Sequence, residues 1–402
     1  TGQHPGGLVI IPKEREVYEF TAIQKPADDK NSVYTTTHFD FNSMHDVVVK
    51  LDILAHENPT VIRMLQDLIE VIEPDFDAEH IPLNDKATLS LFSTTDALGI
   101  KPEQIRGIEV GTLGIPEFGT RFVRNMLVST KPHTMEELIR ISGLSHGTDV
   151  WSGNAEKLIA EGTTNLRGCI CTRDDIMNYL VKKGVEHKMA FFTMESVRKG
   201  KWAKGKEKNQ AAQEAAMREA NVEEWFIDSC KKIKYMFPKA HAVAYVVMAL
   251  RIAYCKVHYP LQYYATYFTV RGVDAIDPTV VLGGTQSILN KMAAIEAKGY
   301  SATATEQDLF TNLEIALEMY ARGFAFLPID ITKSCAKKFV VEGNNLRIPF
   351  LSIPKLGEKG AEKLAKVCEK NEYNSIEDLR KQAKLSASTA EMMKEMGCFG
   401  SL

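Results

Sequence analysis

The sequence holds no pair of Cys-x-x-Cys motifs and no Cys/His set at zinc-ligand spacing, so the common structural zinc sites are excluded. Its seven cysteines (Cys169, Cys171, Cys230, Cys255, Cys335, Cys368 and Cys398) form no disulfide framework. The Cys169-x-Cys171 pair reads as ordinary buried thiols. An odd cysteine count without a framework suits a reducing, cytoplasmic compartment. No signal peptide and no apolar run of membrane-spanning length is evident. Ser, His and Asp crowd into S-G-L-S-H-G-T-D-V-W (142–151), but no G-x-S-x-G elbow accompanies them. That speaks against a hydrolase and for a loop that shapes a pocket. Charge of one sign is also missing. The formal net charge is −3, so only local clusters could announce nucleic acid.

The chain has 402 residues, enough for two to four domains, with 45% hydrophobic and 25% charged residues as in globular proteins. It opens on T-G-Q-H-P-G-G without a Met, as a segment of a longer protein would. Residues 7–12, 33–41 and 47–54 read as three strands of one sheet. From Pro59 the period becomes helical, with clear helices expected over 135–142, 174–183 and 240–257. The segment R-K-G-K-W-A-K-G-K-E-K (198–208) reads as a mobile surface loop, either a solvated linker or a phosphate contact. The pattern weakens over 273–300. A helix over 306–322, two short strands around 338–348 and a helical tail follow, the tail with room for two helical hairpins in tandem.

Several residue types invite chemistry. Asp52 lies in V-K-L-D-I-L, an acid in an apolar strand, where a carboxylate needs a partner or a cation. Lys50, two residues earlier, shares its strand face and could be that partner. His4 to Gly7 form a tight glycine turn before a strand. Arg173 opens a helix in C-T-R-D-D-I-M, where it could hold a phosphate or pair with Asp174 or Asp175. In D-S-C-K-K-I-K-Y-M-F-P-K-A-H-A (228–242), lysines interleave with Tyr235 and Phe237. That suits phosphate neutralisation and base stacking, or equally an amphipathic helix with a lysine-rich outer face. S-I-P-K-L-G-E-K-G-A-E-K-L-A-K-V (352–367) has the form of a helix-hairpin-helix. Gly357 and Gly360 fit the pattern, and Lys355 stands where another glycine is usual.

Taken in order, T-G-Q-H-P-G-G-L-V, T-T-H-F-D-F, V-V-K-L-D-I-L, P-T-V-I-R-M-L-Q-D-L, I-P-E-F-G-T-R-F-V-R, I-S-G-L-S-H-G-T-D-V-W and C-K-K-I-K-Y-M-F-P-K-A-H-A resemble the PolC-type DNA polymerase III alpha subunit of low-GC Gram-positive bacteria. The match covers most of residues 1–270, thins over 271–345 and recovers in the hairpin tail. The resemblance implies an α+β protein with a C-terminal part of the palm over 1–58. Mostly helical, nucleotide-binding fingers follow over 59–270, and a duplex-DNA domain with the helix-hairpin-helix over 271–402. It implies template-directed addition of deoxynucleotides to a primer 3′ end, with two Mg²⁺ ions on three palm aspartates. Asp52 would be the last of these, with Lys50 beside it. The P-D-x-D-type motif carrying the other two does not occur in this sequence, so the chain alone is expected to be inactive.

Arg173 would hold the triphosphate, and Tyr235 would pack on the incoming nucleotide. Lys231, Lys234, Lys239, His241, Ser145 and His146 would line the pocket, and Gly119–Arg121 would shape its rim. Lys355, Gly357, Lys359 and Gly360 would grip the DNA backbone. The implied partners are primer–template DNA and deoxynucleoside triphosphates, with the sliding clamp and replisome in the full-length protein. Gln307–Phe310 resembles a clamp peptide but reads as the start of a core helix. A non-catalytic DNA-binding module is the alternative.

Overall fold

The structure is a computed structural model that describes residues 6–26, 29–44, 46–53, 55–273 and 275–400. His4, in the glycine turn noted above, lies outside the described residues. The chain divides into two compact units, Thr1–Pro59 and Thr60–Leu402.

In the first unit, β1 (Gly7–Ile10) pairs antiparallel with β4 (Val49–Asp52), while β2 (Ile23–Gln24) pairs with β3 (Thr36–Thr37). The three strands expected in one sheet are therefore split between two small sheets. Of residues 33–41 only Thr36 and Thr37 are strand, because Val33 and Tyr34 stand in solvent. A β-branched or aromatic residue favours a strand only where a half-buried surface receives it. In the β1–β4 ladder, Leu8 faces Leu51 and Ile10 faces Val49 on one exposed apolar side. Gly7 and Val9 share the other side with Asp52 and Lys50.

The second unit is helical around one continuous core. Its helices are α1 (Asn58–Glu70), α2 (Lys86–Ser90), α3 (Arg121–Thr130), α4 (Met135–His146), α5 (Glu156–Ala160), α6 (Arg173–Lys183), α7 (His187–Arg198), α8 (Gln210–Glu219), α9 (Glu224–Lys232), α10 (Lys239–His258) and α11 (Pro260–Tyr267). Next come α12 (Pro278–Leu282), α13 (Gly284–Glu296) and α14 (Ala304–Ala321). A small sheet follows, with β7 (Asn345–Arg347) between β5 (Ala325–Leu327), parallel to it, and β6 (Val340–Glu342), antiparallel. The chain then runs through α15 (Glu358–Lys370), α16 (Ile376–Ala383) and α17 (Ala387–Glu395).

Helix α10 packs against α4 and α11 and organises this core. It is 20 residues long and apolar enough by length and composition to cross a membrane, which corrects the sequence reading. Lys239, Arg251 and Lys256 interrupt its apolar run. Its side chains Val246, Ala249, Leu250, Ile252 and Ala253 are buried among the other helices, as in a core helix. Lys256 is fully buried, donating to the carbonyls of Gly111 (2.8 Å) and Leu113 (2.6 Å) and pairing with Glu318 of α14 at 2.8 Å. Burial pulls its ammonium down to about 8, against the pull of Glu318. The core is thus sealed across residue 270. The weak pattern over 273–300 conceals α12 and α13, the former capped by Asp277.

Candidate nucleotide and nucleic-acid sites

On β4, the Lys50 ammonium lies 3.1 Å from the Asp52 carboxylate and 4.9 Å over the Phe41 ring. Gly7 stands directly across from Asp52, so no side chain shields the carboxylate from the neighbouring strand. Among the described residues no group of three His, Cys, Asp or Glu side chains converges, at Asp52 or elsewhere. One carboxylate already paired to a lysine does not fit a two-metal centre by itself.

In the second unit, residues 234–237 form an extended strip tied to three other segments. Thr148 exchanges backbone hydrogen bonds with it, donating to Tyr235 O (2.9 Å) and accepting from Lys234 N (3.0 Å). Met236 N donates to Arg198 O at 3.2 Å, and Arg173 N donates to Phe237 O at 3.2 Å. Gly200, with φ +67°, lies under the strip so closely that a Cβ would sit 2.3 Å from Lys234 O. This position needs glycine for both its backbone conformation and the close approach. The Tyr235 ring stands out from the strip, 43% exposed. It begins an aromatic ledge in which Phe237, His241 and Tyr245 follow at ring separations of 5.3, 5.0 and 4.6 Å.

Two helices start beside this ledge. Arg173 is the first residue of α6, after a Thr172/Asp175 capping box, and Lys239 is the first residue of α10, after Pro238. Asp174 accepts the Lys239 backbone N–H at 2.7 Å and so ties the two starts together. Asp175 accepts from Cys171 N and Thr172 N, leaving neither acid on Arg173. Among the described residues no acid pairs with Arg173 or Lys239, and both are half-buried. Two unpaired cations at adjoining helix N-termini make an anion-binding corner. By contrast, Lys234 is committed to Asp149 at 2.7 Å, and Lys231 to Glu214 and Asp228 at 3.2 and 3.5 Å.

Ser145 and His146 are not in a loop. They end α4, and the turn begins at Gly147. His146 Nδ1 lies 2.7 Å from Ser142 O and Nε2 lies 2.5 Å from Glu117, so both ring nitrogens face acceptors. The Glu117 hydrogen bond raises the imidazole above its ordinary pKa, against burial. The Ser145 hydroxyl lies 3.1 Å from His146 Nδ1 and donates to Ser142 O at 3.0 Å, a local bond at the end of α4. The imidazole edge meets Phe237 at 5.4 Å and fixes that ring. Neighbouring His241 is shifted down, by burial first and then by His146.

In the tail, Lys355 adopts φ +65°, the left-handed conformation that explains the usual glycine there. Leu356 is buried behind it, and Gly357 is the N-cap of α15 with no side-chain cap. The first-turn amides around Lys359 and Gly360 are therefore open to an acceptor. A second turn repeats the pattern, with Lys384 at φ +55°, buried Leu385 and Ser386 before α17. There Ser386 accepts from Thr389 N and closes the helix end. A cleft of about 630 Å³ opens beside the first hairpin, lined by Ile276, Leu309, Leu351, Pro354 and Lys355 among others.

Known proteins match this arrangement segment by segment. The model of the bacterial DNA polymerase III alpha subunit finger domain matches residues 58–221. The bacterial DNA polymerase III alpha NTPase domain matches residues 1–55, and a helix-hairpin-helix motif matches residues 323–402. The DNA polymerase III PolC-type of Thermotoga maritima is 52% identical over 402 residues, all of this chain and 28% of that protein. The namesake proteins of Caldanaerobacter subterraneus subsp. tengcongensis and Bacillus subtilis are each 51% identical over 402 residues, 28% and 27% of their lengths. The chain belongs to the PolC-type DNA polymerase III family. It spans a little over a quarter of the length of these curated relatives.

Within this PolC-type chain, the structure gathers Arg173, Tyr235, Lys239, His241 and, through Phe237, His146. It leaves Lys231 and Lys234 in ion pairs. Sequence reasoning missed Asp174 as the link between helix starts, Glu117 as the partner of His146, and Gly200 beneath the strip. Read locally, Asp174 is only an acid in the first turn of α6, and its bond to α10 has no sequence signal. Glu117 and Gly200 carry no local signal at all.

Proposed function

We propose that this chain contributes the fingers and the last palm carboxylate of a replicative DNA-directed DNA polymerase of the PolC type. The observation that carries the reading is the pair of unpaired cations, Arg173 and Lys239, at the linked starts of α6 and α10 beside the Tyr235–Phe237 ledge. A deoxynucleoside triphosphate suits both halves of that corner. Its phosphates need fixed cations and helix amides, and its base needs a π-face. His146 and Glu117 hold Phe237 and with it the slope of the ledge. Lys231 and Lys234 would reach the nucleotide only by exchanging their present carboxylate partners.

Asp52 would serve as one ligand of a Mg²⁺ pair whose other carboxylates come from elsewhere in the full-length protein. Such ions would lower the pKa of a primer hydroxyl and neutralise the leaving pyrophosphate. The uncapped hairpin at Lys355–Gly360 would grip duplex DNA by its phosphates, whatever the sequence. The sliding clamp and replisome are partners for the full-length protein, in the cytoplasm.

The test is fluorescence anisotropy of a labelled primer–template titrated with this chain at several salt concentrations, with and without Mg²⁺ and the templated deoxynucleotide. Binding that tightens with the templated nucleotide, and loses that tightening in Arg173→Ala and Tyr235→Ala, supports the fingers. Salt-sensitive binding indifferent to nucleotide favours a DNA-holding module instead.

A further inference from the structure

The lysine-rich segment 198–208 takes no part in the nucleotide corner, and it is not the mobile loop its glycines suggest. Trp202 is buried and donates through Nε1 to Gln213 at 2.7 Å. Glu207 accepts from Ser196 and from Asn209 N. The backbone closes on itself through Lys201 N to Ser196 O (2.9 Å) and Lys206 N to Lys201 O (2.8 Å). Arg198 and Lys199 share Glu195, but Lys201, Lys204, Lys206 and Lys208 form no ion pair among the described residues. The loop thus holds four ammonium groups exposed and outside any close ion pair, with Glu207 near enough to Lys201 to feel its charge. Helix α7, which feeds it, adds Lys188 and an exposed aromatic pair, Phe191 and Phe192, at a ring separation of 5.7 Å. Between residues 188 and 208 stand seven basic residues against two acidic ones, in a chain of net charge −3.

We propose that Lys188, Phe191 and Phe192 of α7, with Lys201, Lys204 and Lys206 of the anchored loop, form a binding surface for single-stranded nucleic acid. The occupant is the unpaired template strand, a choice that rests on the polymerase reading. Charge complementarity selects a polyanion. The exposed rings select one whose bases are unstacked, because a duplex presents no free base face to them. The loop reaches the nucleotide corner through Arg198 O and Gly200, which support the strip that carries Tyr235. A template held here would therefore lead towards the ledge.

The test uses the 402-residue chain with a labelled oligodeoxythymidine strand and a blunt duplex of equal length, read by fluorescence anisotropy across salt. Lys201→Ser/Lys204→Ser/Lys206→Ser should weaken strand binding at least about tenfold and lower the slope of log affinity against log salt by about 2. Phe191→Ser/Phe192→Ser should weaken it by about tenfold at unchanged slope. Both variants should bind the blunt duplex as the parent does. Unchanged strand affinity in the lysine variant, or an equal loss on blunt duplex, overturns the proposal. So does polyglutamate competing as well as the strand, since that marks a surface for acidic protein. Nucleotide-dependent tightening on primer–template is measured alongside and separates the two readings. Its absence in the parent chain sinks the choice of template as occupant. Its presence with no strand loss in the lysine variant sinks this surface alone.

Discussion

The Asp174 carboxylate accepts the backbone N–H of Lys239 at 2.7 Å, so one side chain in the first turn of α6 holds the first turn of α10. That bond ties together the helix starts that carry Arg173 and Lys239, the two cations of the proposed nucleotide corner. Asp174→Ala should cost roughly 1 kcal/mol of stability, as loss of a helix cap does. It should also lower deoxynucleotide affinity about fivefold or more, the equivalent of 1 kcal/mol. Asp174→Asn keeps an acceptor and should stay near the parent. Urea midpoints and nucleotide titration of the three proteins check this, and equal behaviour of Ala and Asn would overturn it.

The Glu117–His146 pair predicts a pH dependence of definite sign. Hydrogen bonding to Glu117 raises the folded pKa of His146 above its ordinary 6.5. The folded state then holds a proton that the unfolded state has lost, so this stabilisation is complete below 6.5 and fades as pH rises through the folded pKa. His241 is shifted down and acts in the opposite sense. Comparison with Glu117→Gln isolates the His146 contribution. The stability difference between parent and variant should shrink as pH is raised above 6.5, and a difference constant with pH would contradict the assignment.

Lys256 and Glu318 are both fully buried, 2.8 Å apart. Removing only the lysine strands a buried carboxylate, so Lys256→Met should destabilise by about 3–5 kcal/mol. Lys256→Met/Glu318→Gln removes both charges and leaves only the Gly111 and Leu113 carbonyls without their donor. The double variant should therefore be more stable than Lys256→Met, which denaturant melts will show directly. Additive losses would mean that the two side chains do not depend on one another.

Gly357 caps α15 without a side chain, and a Cβ there would meet nothing within 4 Å. Gly357→Asp should fold normally, changing stability by only a few tenths of a kcal/mol. Its carboxylate would occupy the amides offered to phosphate and repel the backbone, so affinity for blunt duplex should fall at least about tenfold, or 1.4 kcal/mol. Retained duplex binding would place the DNA contact elsewhere in the tail.

The helices expected over 135–142, 174–183, 240–257 and 306–322 were legible because apolar period and caps are local signals, and α4, α6, α10 and α14 lie there. The strands around 338–348 were legible for the same reason. Helix α12 was not, because its five residues are too few to show an apolar period, and α13 was not, because it opens on Gly283 and Gly284 with no side-chain cap. β5 escaped because its parallel partner β7 lies 20 residues ahead in register, Ala325 opposite Asn345.

By itself, the sequence determined the family resemblance, the long helices and the residue types of the site: Asp52 with Lys50, Arg173 before a helix, Tyr235 and Phe237 among lysines, glycines after Lys355. These follow from chemistry written in consecutive residues. Only the tertiary structure decided which lysines are free. Lys231 and Lys234 find Glu214 and Asp149, while Lys239 finds no acid among the described residues, and nothing local to 228–242 distinguishes them. Charge neutralisation acts through space between segments distant in the chain. The proposed corner therefore rests on the fold that brings Asp174 to Lys239, Glu117 to His146 and Gly200 beneath Lys234.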